Sequence, residues 1–416
     1  MSKRILPLVV IFIFASVAWV TLGSSMELRT DRQDAKLKAA VGQLWGTVQH
    51  QRAPRALVKG RIDPIKLSET ALSTSDSAFV PVGRAPLPLD SSDISVTLDL
   101  DNRKKGLIWY STYHVDFLGK YVISNPSDID QFVVFEYSFP AEDGIYDGFA
   151  FKIDGDSVPK LDASGSTVSR ELWLRAGERK TVEISYRSHG MDEWWYLLGS
   201  GVTQIQNFRL TMTTDFDEID FPANSMSPVS MQRTGDGWTL IWEYDSLISG
   251  IQIGMDLPQK LNPGPFVSRL SFFAPVSLFF FFFVMFMVTT VRNIKIHFMN
   301  YFFLATAFFA FHLLLAYLVD HINVHWACVI SSLVSVFLVL SYMRLVVGVR
   351  FALVETGLAQ FVYLILFSYA FFLEGYTGLT ITILAIVTLF LVMQFTARLD
   401  WDKQLAGEVP VTLRTD

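Results

Sequence analysis

Two hydrophobic periods divide this chain of 416 residues. From Leu270 to Ala397 apolar residues run almost without interruption, and the block includes Leu278, Phe279 to Phe283, Val284, Met285, Phe286, Met287 and Val288 in one unbroken series. A helix of about 20 apolar residues crosses the roughly 30 Å hydrocarbon core of a bilayer. On that measure the block holds five spans, over 270–291, 299–319, 326–343, 351–373 and 377–397, separated by short charged or glycine-bearing breaks. A further apolar run, Ile5 to Leu22, follows the basic leader Met1 to Arg4. It exceeds the roughly 7–15 residues of a signal-peptide core, so residues 1–25 are expected to remain as an uncleaved anchor, despite the small residues Gly23, Ser24 and Ser25.

After the anchor the pattern changes twice. Leu37, Val41, Leu44, Trp45 and Val48 fall on one helical face, which predicts an amphipathic helix over 26–55 that Pro54 ends and that packs on the domain beyond it. Between Ala56 and Gly264 the period becomes two. Ile94, Val96, Leu98 and Leu100 alternate with polar residues, as do Val133, Phe135, Tyr137 and Phe139. The same holds for Phe149, Phe151 and Ile153; Val182, Ile184 and Tyr186; Phe208, Leu210 and Met212; and Trp238, Leu240, Trp242 and Tyr244. Turn signals such as Ser124-Asn125-Pro126, Ala176-Gly177-Glu178 and Gly235-Asp236-Gly237 separate them. Short half-buried strands in such number predict an all-β, antiparallel, sandwich-like domain over 56–265, with the Ser-, Pro- and Asp-rich segment 60–92 as a loop or wrapping edge. The fold class expected is therefore a membrane α-helical bundle of six spans, with the β-domain inserted between spans one and two. A five-span domain over 266–401 and a tail over 402–416 complete the chain.

Composition agrees with this division. Half the residues are hydrophobic (51%), 18% are charged and the mean hydropathy is +0.35, values of the membrane class. A net charge of −6 gives no basic face for nucleic acid, so the bilayer itself is the expected partner. The only cysteine, Cys328, falls in a span, which leaves no intramolecular disulfide. The short loops carry charge on one side: Arg292 and Lys295, then Arg344 and Arg350, then Arg398, Lys403 and Arg414. The opposite loops, 320–325 and 374–376, hold Asp320, His321, His325 and Glu374 without Lys or Arg. Positive loops stay inside, so both termini are expected in the cytoplasm and the β-domain in the periplasm.

The polar punctuation of the spans carries a resemblance. His297-Phe298-Met299-Asn300-Tyr301 opens the third span, Asp320-His321 follows it, Trp326-Ala327-Cys328-Val329-Ile330-Ser331-Ser332-Leu333 begins the fourth, and Phe395-Thr396-Ala397-Arg398-Leu399-Asp400-Trp401 closes the sixth. At this spacing the series resembles the CreD family of bacterial inner-membrane proteins, associated with cell-envelope integrity. The likeness covers 270–401 and, beyond that, the architecture and the Leu44-Trp45-Gly46 turn; Phe298 stands where the family often has Pro. The resemblance implies a non-enzymatic structural or regulatory role in envelope integrity or stress response, in the inner membrane, with an envelope or signalling protein as partner. It brings no catalytic residues. Two other classes stay open: a ligand sensor acting through a separate cytoplasmic partner, and a small transporter or envelope-modifying enzyme.

Candidate chemistry is sparse. Ionisable residues within spans are costly and so are candidates by default. His312 sits near the middle of the third span, where a bond to a Ser, a Thr or a backbone carbonyl is the structural reading. Glu355 and Gln360 lie in the first half of the fifth span, with Arg350 as the expected partner of Glu355. Asp320, His321 and His325 form a D-H-x-x-x-H cluster that bridges a turn and lacks the H-E-x-x-H arrangement, so no metal ligand is assigned. The acidic run Asp215, Asp217, Glu218 and Asp220, interleaved with Phe216 and Phe221, lacks the glycine and spacing of a calcium loop and suits a shielded edge or turn. Trp194, Trp195 and Tyr196 read as core packing or an interfacial belt before a sugar platform. With no G-x-S-x-G, Walker, dinucleotide or Cys-based motif, no catalytic residue and no cofactor are assigned.

Overall fold

The computed structural model describes residues 2–59, 85–199, 201, 203–373 and 375–397. Of the segment 60–92, expected as a loop or wrapping edge, residues 60–84 lie outside the described residues, as do Glu374 and Arg398 onward with the tail 402–416. The described end of that segment is strand, with Ala85–Leu87 at the edge of a sheet and a second strand starting at Leu89. Contacts divide the chain into two units, Met1–Ala35 with Leu261–Asp416, and Lys36–Lys260.

The first unit is helical. Six helices among the described residues are long and apolar enough to cross a membrane: α1 (Ser2–Trp45), α2 (Pro263–Val291), α3 (Phe298–Leu318), α4 (Val324–Val346), α5 (Val349–Phe372) and α6 (Thr377–Thr396). Local chemistry sets their ends. Pro263 opens α2, where its missing N–H costs nothing. Asn323 caps α4 by accepting the His325 N–H at 2.9 Å. Gly348 (φ +115°) and Gly375 (φ +76°) break the chain before and after α5, in a backbone region that suits glycine. One feature departs from the plain span read over 351–373. α5 carries two π-helical stretches, Ala352–Thr356 and Phe361–Leu366, and ends in a 3₁₀ turn over Ala370–Phe372.

Phenylalanine serves both surfaces of this unit. Phe281 and Phe282 are buried, packing on Phe308 at 4.5 Å and on Tyr301 at 5.3 Å between ring centroids, while Phe279 is exposed on the same helix. Hydroxyls tie helix to helix, as expected where lipid offers no partner. Ser268 donates to the Gly23 carbonyl at 3.0 Å, Ser335 to the Ala307 carbonyl at 2.8 Å, and Ser277 to the Tyr363 carbonyl.

The second unit is the β-domain. Its strands are β1 (Gln49–Arg52), β2 (Arg55–Val58), β3 (Ala85–Leu87), β4 (Leu89–Leu100), β5 (Arg103–Lys105), β6 (Ile108–Tyr110), β7 (Thr112–Ser124), β8 (Gln131–Ser138) and β9 (Asp147–Ile153). There follow β10 (Asp156–Ser157), β11 (Asp162–Ser164), β12 (Thr167–Leu174), β13 (Arg179–Met191), β14 (Glu193–Leu197), β15 (Thr203–Thr214), β16 (Ser230–Thr234), β17 (Gly237–Ser249) and β18 (Ile253–Asp256). An eight-stranded sheet runs in the order β10-β9-β13-β7-β4-β15-β17-β16, and a five-stranded sheet in the order β11-β12-β8-β2-β3. A three-stranded sheet, β1-β14-β18, and the pair β5-β6 complete it. The alternating residues read from the sequence meet in one apolar cluster, with Ile94, Val96, Leu98, Val133, Phe135, Tyr137, Val182, Ile184, Leu210, Leu240 and Trp242 all buried.

Three expectations are corrected here. The sheets are mixed, not purely antiparallel: β4 pairs β15 in parallel, and β1 pairs β14 in parallel. These partners lie far apart in sequence and are not joined by hairpins, so nothing imposes an antiparallel turn. The helix expected over 26–55 ends at Trp45, because Gly46 adopts φ +135° and lies so close to the His189 carbonyl that a Cβ there would sit 2.1 Å from its oxygen. Val48 therefore lies outside the helix, and Leu44 is 70% exposed, while Leu37, Val41 and Trp45 do pack with Ile108, Tyr110 and Met191.

Strand β1 carries the other surprise, since its sequence is Gln-His-Gln-Arg and its two glutamines are fully buried. Gln49 donates to Ser188 Oγ at 2.7 Å and to the His189 carbonyl at 2.8 Å. The Gln51 amide oxygen accepts from the hydroxyls of Tyr137 and Tyr186, each at 2.8 Å, and its nitrogen donates to the Ser138 carbonyl at 3.2 Å. Replacing Gln51 by Leu orphans two buried hydroxyls at about 1–3 kcal/mol each. Chemical unfolding of the full-length protein, followed by tryptophan fluorescence, is expected to show a loss of about 2–6 kcal/mol for Gln51→Leu; a loss under about 0.5 kcal/mol, as at an ordinary surface site, would contradict the role of the network.

Candidate functional site

The polar residues singled out in the helical unit do not gather into one centre. Asp320, just past α3, is mostly buried and pairs with Arg29 of α1. His321 only closes the turn, its N–H reaching the Leu318 carbonyl at 2.9 Å. The His325 ring lies over Phe372 at 4.7 Å between centroids. The D-H-x-x-x-H spacing thus does not converge: the Asp320 and His325 side chains go to different partners and the His321 contact is made by its backbone. Among the described residues no group of three His, Cys, Asp or Glu is placed to hold a metal.

His312 is 1% exposed. Its Nδ1 lies 3.0 Å from the Phe308 carbonyl, one turn back, and its ring meets Trp19 and Phe311 edge-on at 5.4 and 4.8 Å. A backbone partner and an aromatic cage are the structural role expected for a histidine at this depth. Cys328 is buried as well and has no second cysteine to join.

Glu355 has a different partner from the one anticipated. Its carboxylate lies 2.5 Å from Arg292, at the end of α2, and not against Arg350. Arg350 stands five residues away at the exposed start of α5, off the face that Glu355 presents, whereas Arg292 approaches from another helix. Gln360, fully buried, donates from Nε2 to Ser335 of α4 at 3.1 Å.

In the β-domain, Trp194 and Tyr196 are fully buried, which is the core role, and Trp195 donates from Nε1 to Glu193 at 2.7 Å. The acidic run shapes a loop. Asp215 accepts the Leu100 N–H at 2.8 Å, Asp217 lies 3.3 Å from Arg233, Asp220 bridges to Asp256, and Phe216 is buried. Burial, and then Glu193 and Asp220, push the Asp256 carboxyl upward.

One cluster was invisible in the sequence, where Trp45 reads only as part of a helix face and of the Leu44-Trp45-Gly46 turn and its partners lie dozens of residues away. Trp45, at the end of α1, meets His189 at 4.7 Å and His114 at 5.6 Å, and the two imidazoles are 4.6 Å apart. The Arg103 guanidinium covers Trp45 at 3.1 Å, a cation–π arrangement. Asp101 lies 2.8 Å from Arg103 and 3.5 Å from His114. Burial pushes the His189 imidazole down, and the neighbouring His114 and Arg103 add to it. A folded-state value below that of the unfolded chain makes the unfolded state bind more protons on acidification. The stability held by neutral His189 is therefore complete above about pH 6.5 and lost as the pH falls through its folded-state value.

Two measurements follow. Unfolding of the wild type is expected to lose stability between about pH 7 and about pH 5, and His189→Gln to lose less over the same interval; equal slopes would refute the assignment. Asp99 and Asp256, raised mainly by burial, work in the opposite sense, and the comparison with the variant cancels them. For the helical unit, a double-mutant cycle of Arg29→Gln and Asp320→Asn is expected to give a coupling of about 0.5–3 kcal/mol. Additive effects of the two substitutions would mean that the pair contributes nothing to stability.

Residues 248–402 match the family described as "Inner membrane protein CreD". The match takes in α2 to α6 and shows the likeness that the polar punctuation of the spans implied. No curated protein matches the chain. Among solved structures, one similar chain is a candidate nutrient binding protein of Legionella pneumophila, 9% identical, with 56% of this chain and 76% of that one covered at a TM-score of 0.36. Another is an M1 zinc metallopeptidase of Deinococcus radiodurans, 13% identical, with 44% of each chain covered at a TM-score of 0.26. This chain thus spans less than half of the metallopeptidase it matches. Likenesses at these scores carry no argument about activity.

Proposed function

We propose that this chain acts in the inner membrane of a bacterium as a CreD-type protein that maintains the cell envelope or reports its state, without catalysis of its own. The observation that carries this reading is the match of residues 248–402 to the inner-membrane family. In the same reading the β-domain is a sandwich that stands in the periplasm, between spans one and two, and both termini face the cytoplasm. The loops with Arg292, Lys295, Arg344 and Arg350 support that orientation, because short positive loops stay inside. The contacts of Arg29 with Asp320, of Arg292 with Glu355 and of His312 with the Phe308 carbonyl suit a bundle held together by its polar residues. An envelope or signalling protein and the surrounding lipid are the partners this role calls for.

Two experiments test it together. A reporter fused after Asp416 is expected to work only as a cytoplasmic fusion, and one inserted near Ser164 only as a periplasmic one. A strain lacking the protein is expected to grow poorly under detergent and cell-wall inhibitors and to regain resistance from the full-length chain. An active periplasmic reporter at the C-terminus would overturn the topology. A deletion strain indistinguishable from its parent under every envelope challenge would overturn the role.

A further inference from the structure

A groove of about 450 Å³ runs along the surface of the helical unit between α3 and α4. Phe303, Ala307 and Ala310 give it one face of α3, and Leu338, Tyr342 and Leu345 give it one face of α4, each set at helical spacings of three and four. Two contacts set the helices against each other. Ser335 donates to the Ala307 carbonyl at 2.8 Å, and the Tyr342 ring meets Phe303 at 5.2 Å between centroids. The small side chains of Ala307 and Ala310 leave the space open, while the large side chains of Phe303, Leu338 and Leu345 are exposed along it. From Phe303 to Ala310 the groove follows α3 for about 10 Å.

The polar atoms of this groove are spent, with one exception. Thr306 donates to the Phe302 carbonyl one turn back at 2.9 Å, as Thr382 does to Gly378 at 2.8 Å and Thr396 to Val392 at 2.7 Å on α6. Ser341 donates to the Leu338 carbonyl at 3.0 Å, and the Tyr342 hydroxyl to Asn300 at 2.7 Å. The exception is Arg344, in the last turn of α4. Arg29 and Arg292 hold the carboxylates of Asp320 and Glu355, whereas Arg344 is exposed and holds no carboxylate among the described residues. The last turn of a span stands where hydrocarbon meets headgroups, and an arginine there extends its charged end to the headgroup level.

An apolar trough that ends on an unpaired cation fits an amphiphile with an apolar tail and a negative head. The volume lies within the roughly 300–1,000 Å³ of small-molecule sites. A guanidinium binds phosphate oxygens through paired, charge-assisted hydrogen bonds. Basic pockets between spans hold acidic lipid headgroups by this chemistry. A zwitterionic headgroup carries its own ammonium beside the phosphate, which competes with the guanidinium, so a net negative headgroup is favoured. A second copy seated here by two-fold symmetry would instead set Arg344 against its own counterpart, like charge against like. We propose that the groove between α3 and α4 is a binding site for an anionic phospholipid of the surrounding bilayer, with an acyl chain along Ala307 and Ala310 and the phosphate on Arg344. The inference rests on the chain's place in a membrane, and on neither its envelope role nor the side that Arg344 faces.

The test uses the full-length protein in a neutral detergent, titrated with phosphatidylglycerol or with phosphatidylethanolamine of the same acyl chains, and native mass spectrometry counts the bound lipid. Phosphatidylglycerol is expected to bind about tenfold more tightly. Arg344→Gln is expected to abolish that preference, and Arg350→Gln, at an exposed arginine that does not line the groove, to leave it within about twofold. Ala310→Phe fills the apolar end and is expected to weaken both lipids by about tenfold or more; Ala310→Leu gives the same readout where the ring disturbs α3. Equal affinity of the wild type for the two lipids would overturn the proposal, as would equal losses in the two arginine variants. Unchanged binding in filled variants that keep the wild-type Tm would do the same. A dimer that Ala310→Phe dissolves would also overturn it and put a second copy in the groove. Growth under envelope challenge is a separate readout, so the envelope role can fail without the lipid site, and the site without the role.

Discussion

A polar atom taken out of water has to find its partner inside the protein, and both units of this chain are shaped by that requirement. In the helical unit the solvent is hydrocarbon, which supplies no donor or acceptor. Serine hydroxyls of α2 and α4 accordingly reach the carbonyls of other helices, Gly23, Tyr363 and Ala307. In the β-domain the same requirement falls on β1, which carries two glutamines into the core directly after the turn at Gly46. Tyr137, Tyr186 and Ser188 are there to receive them. Burial pushes the ionisation of Tyr137 and Tyr186 well up, so these phenols stay neutral donors and the network keeps its pattern of bonds across the working pH range. Apolar burial supplies most of the driving force in each unit, but the polar partners decide which arrangement of strands and helices is acceptable.

The same distinction explains what was legible in the sequence. Periodicity reports which positions meet water, lipid or core, and on that question it performed well. The spans fall where the apolar runs predicted, and Ile94, Val96 and Leu98 or Val182 and Ile184 are buried as their alternation required. Periodicity says nothing about partners. A Gln-His-Gln-Arg strand looks like a loop until Tyr137 and Tyr186 are brought beside it. Leu44 sits on the expected helical face and is nevertheless exposed, since the helix ends one residue later and little remains there to cover it. The likeness to the inner-membrane family was legible because it rests on polar residues at the ends of spans, positions that chance matching of apolar stretches does not reproduce.

Charged partners show the limit most plainly. Arg350 was the obvious neighbour for Glu355 because it stands just before the same span, yet a separation of five residues does not bring side chains together on an α-helix, where neighbours are three or four apart. Arg292 comes from the end of α2, and only the assembled bundle reveals it. The pair formed by Arg29 and Asp320 has the same character. An arginine one helical turn beyond the anchor and an aspartate following the third span are opposite charges at an apolar boundary, where an unpaired charge is costly. That shared cost is the one signal from which a sequence reading could have paired them.

The unsatisfied positions are as informative as the satisfied ones. Among the described residues of the helical unit, buried side-chain atoms without a partner are Trp19 Nε1, Ser271 Oγ, Ser331 Oγ, Glu355 Oε2, Thr356 Oγ1 and Gln360 Oε1. Four of these six fall on α4 and α5, and three of the four sit within six residues of α5, where the backbone alternates between π and α turns. A π turn widens the helix and shifts the carbonyl that a threonine hydroxyl would otherwise reach, so Thr356 behaves unlike Thr306, Thr382 and Thr396 for a backbone reason. Irregular helix geometry in a membrane survives only where the freed groups are served by protein or by water. The concentration of irregular backbone and unserved side chains in one helix pair therefore sets α4 and α5 apart from the helices whose hydroxyls find a carbonyl.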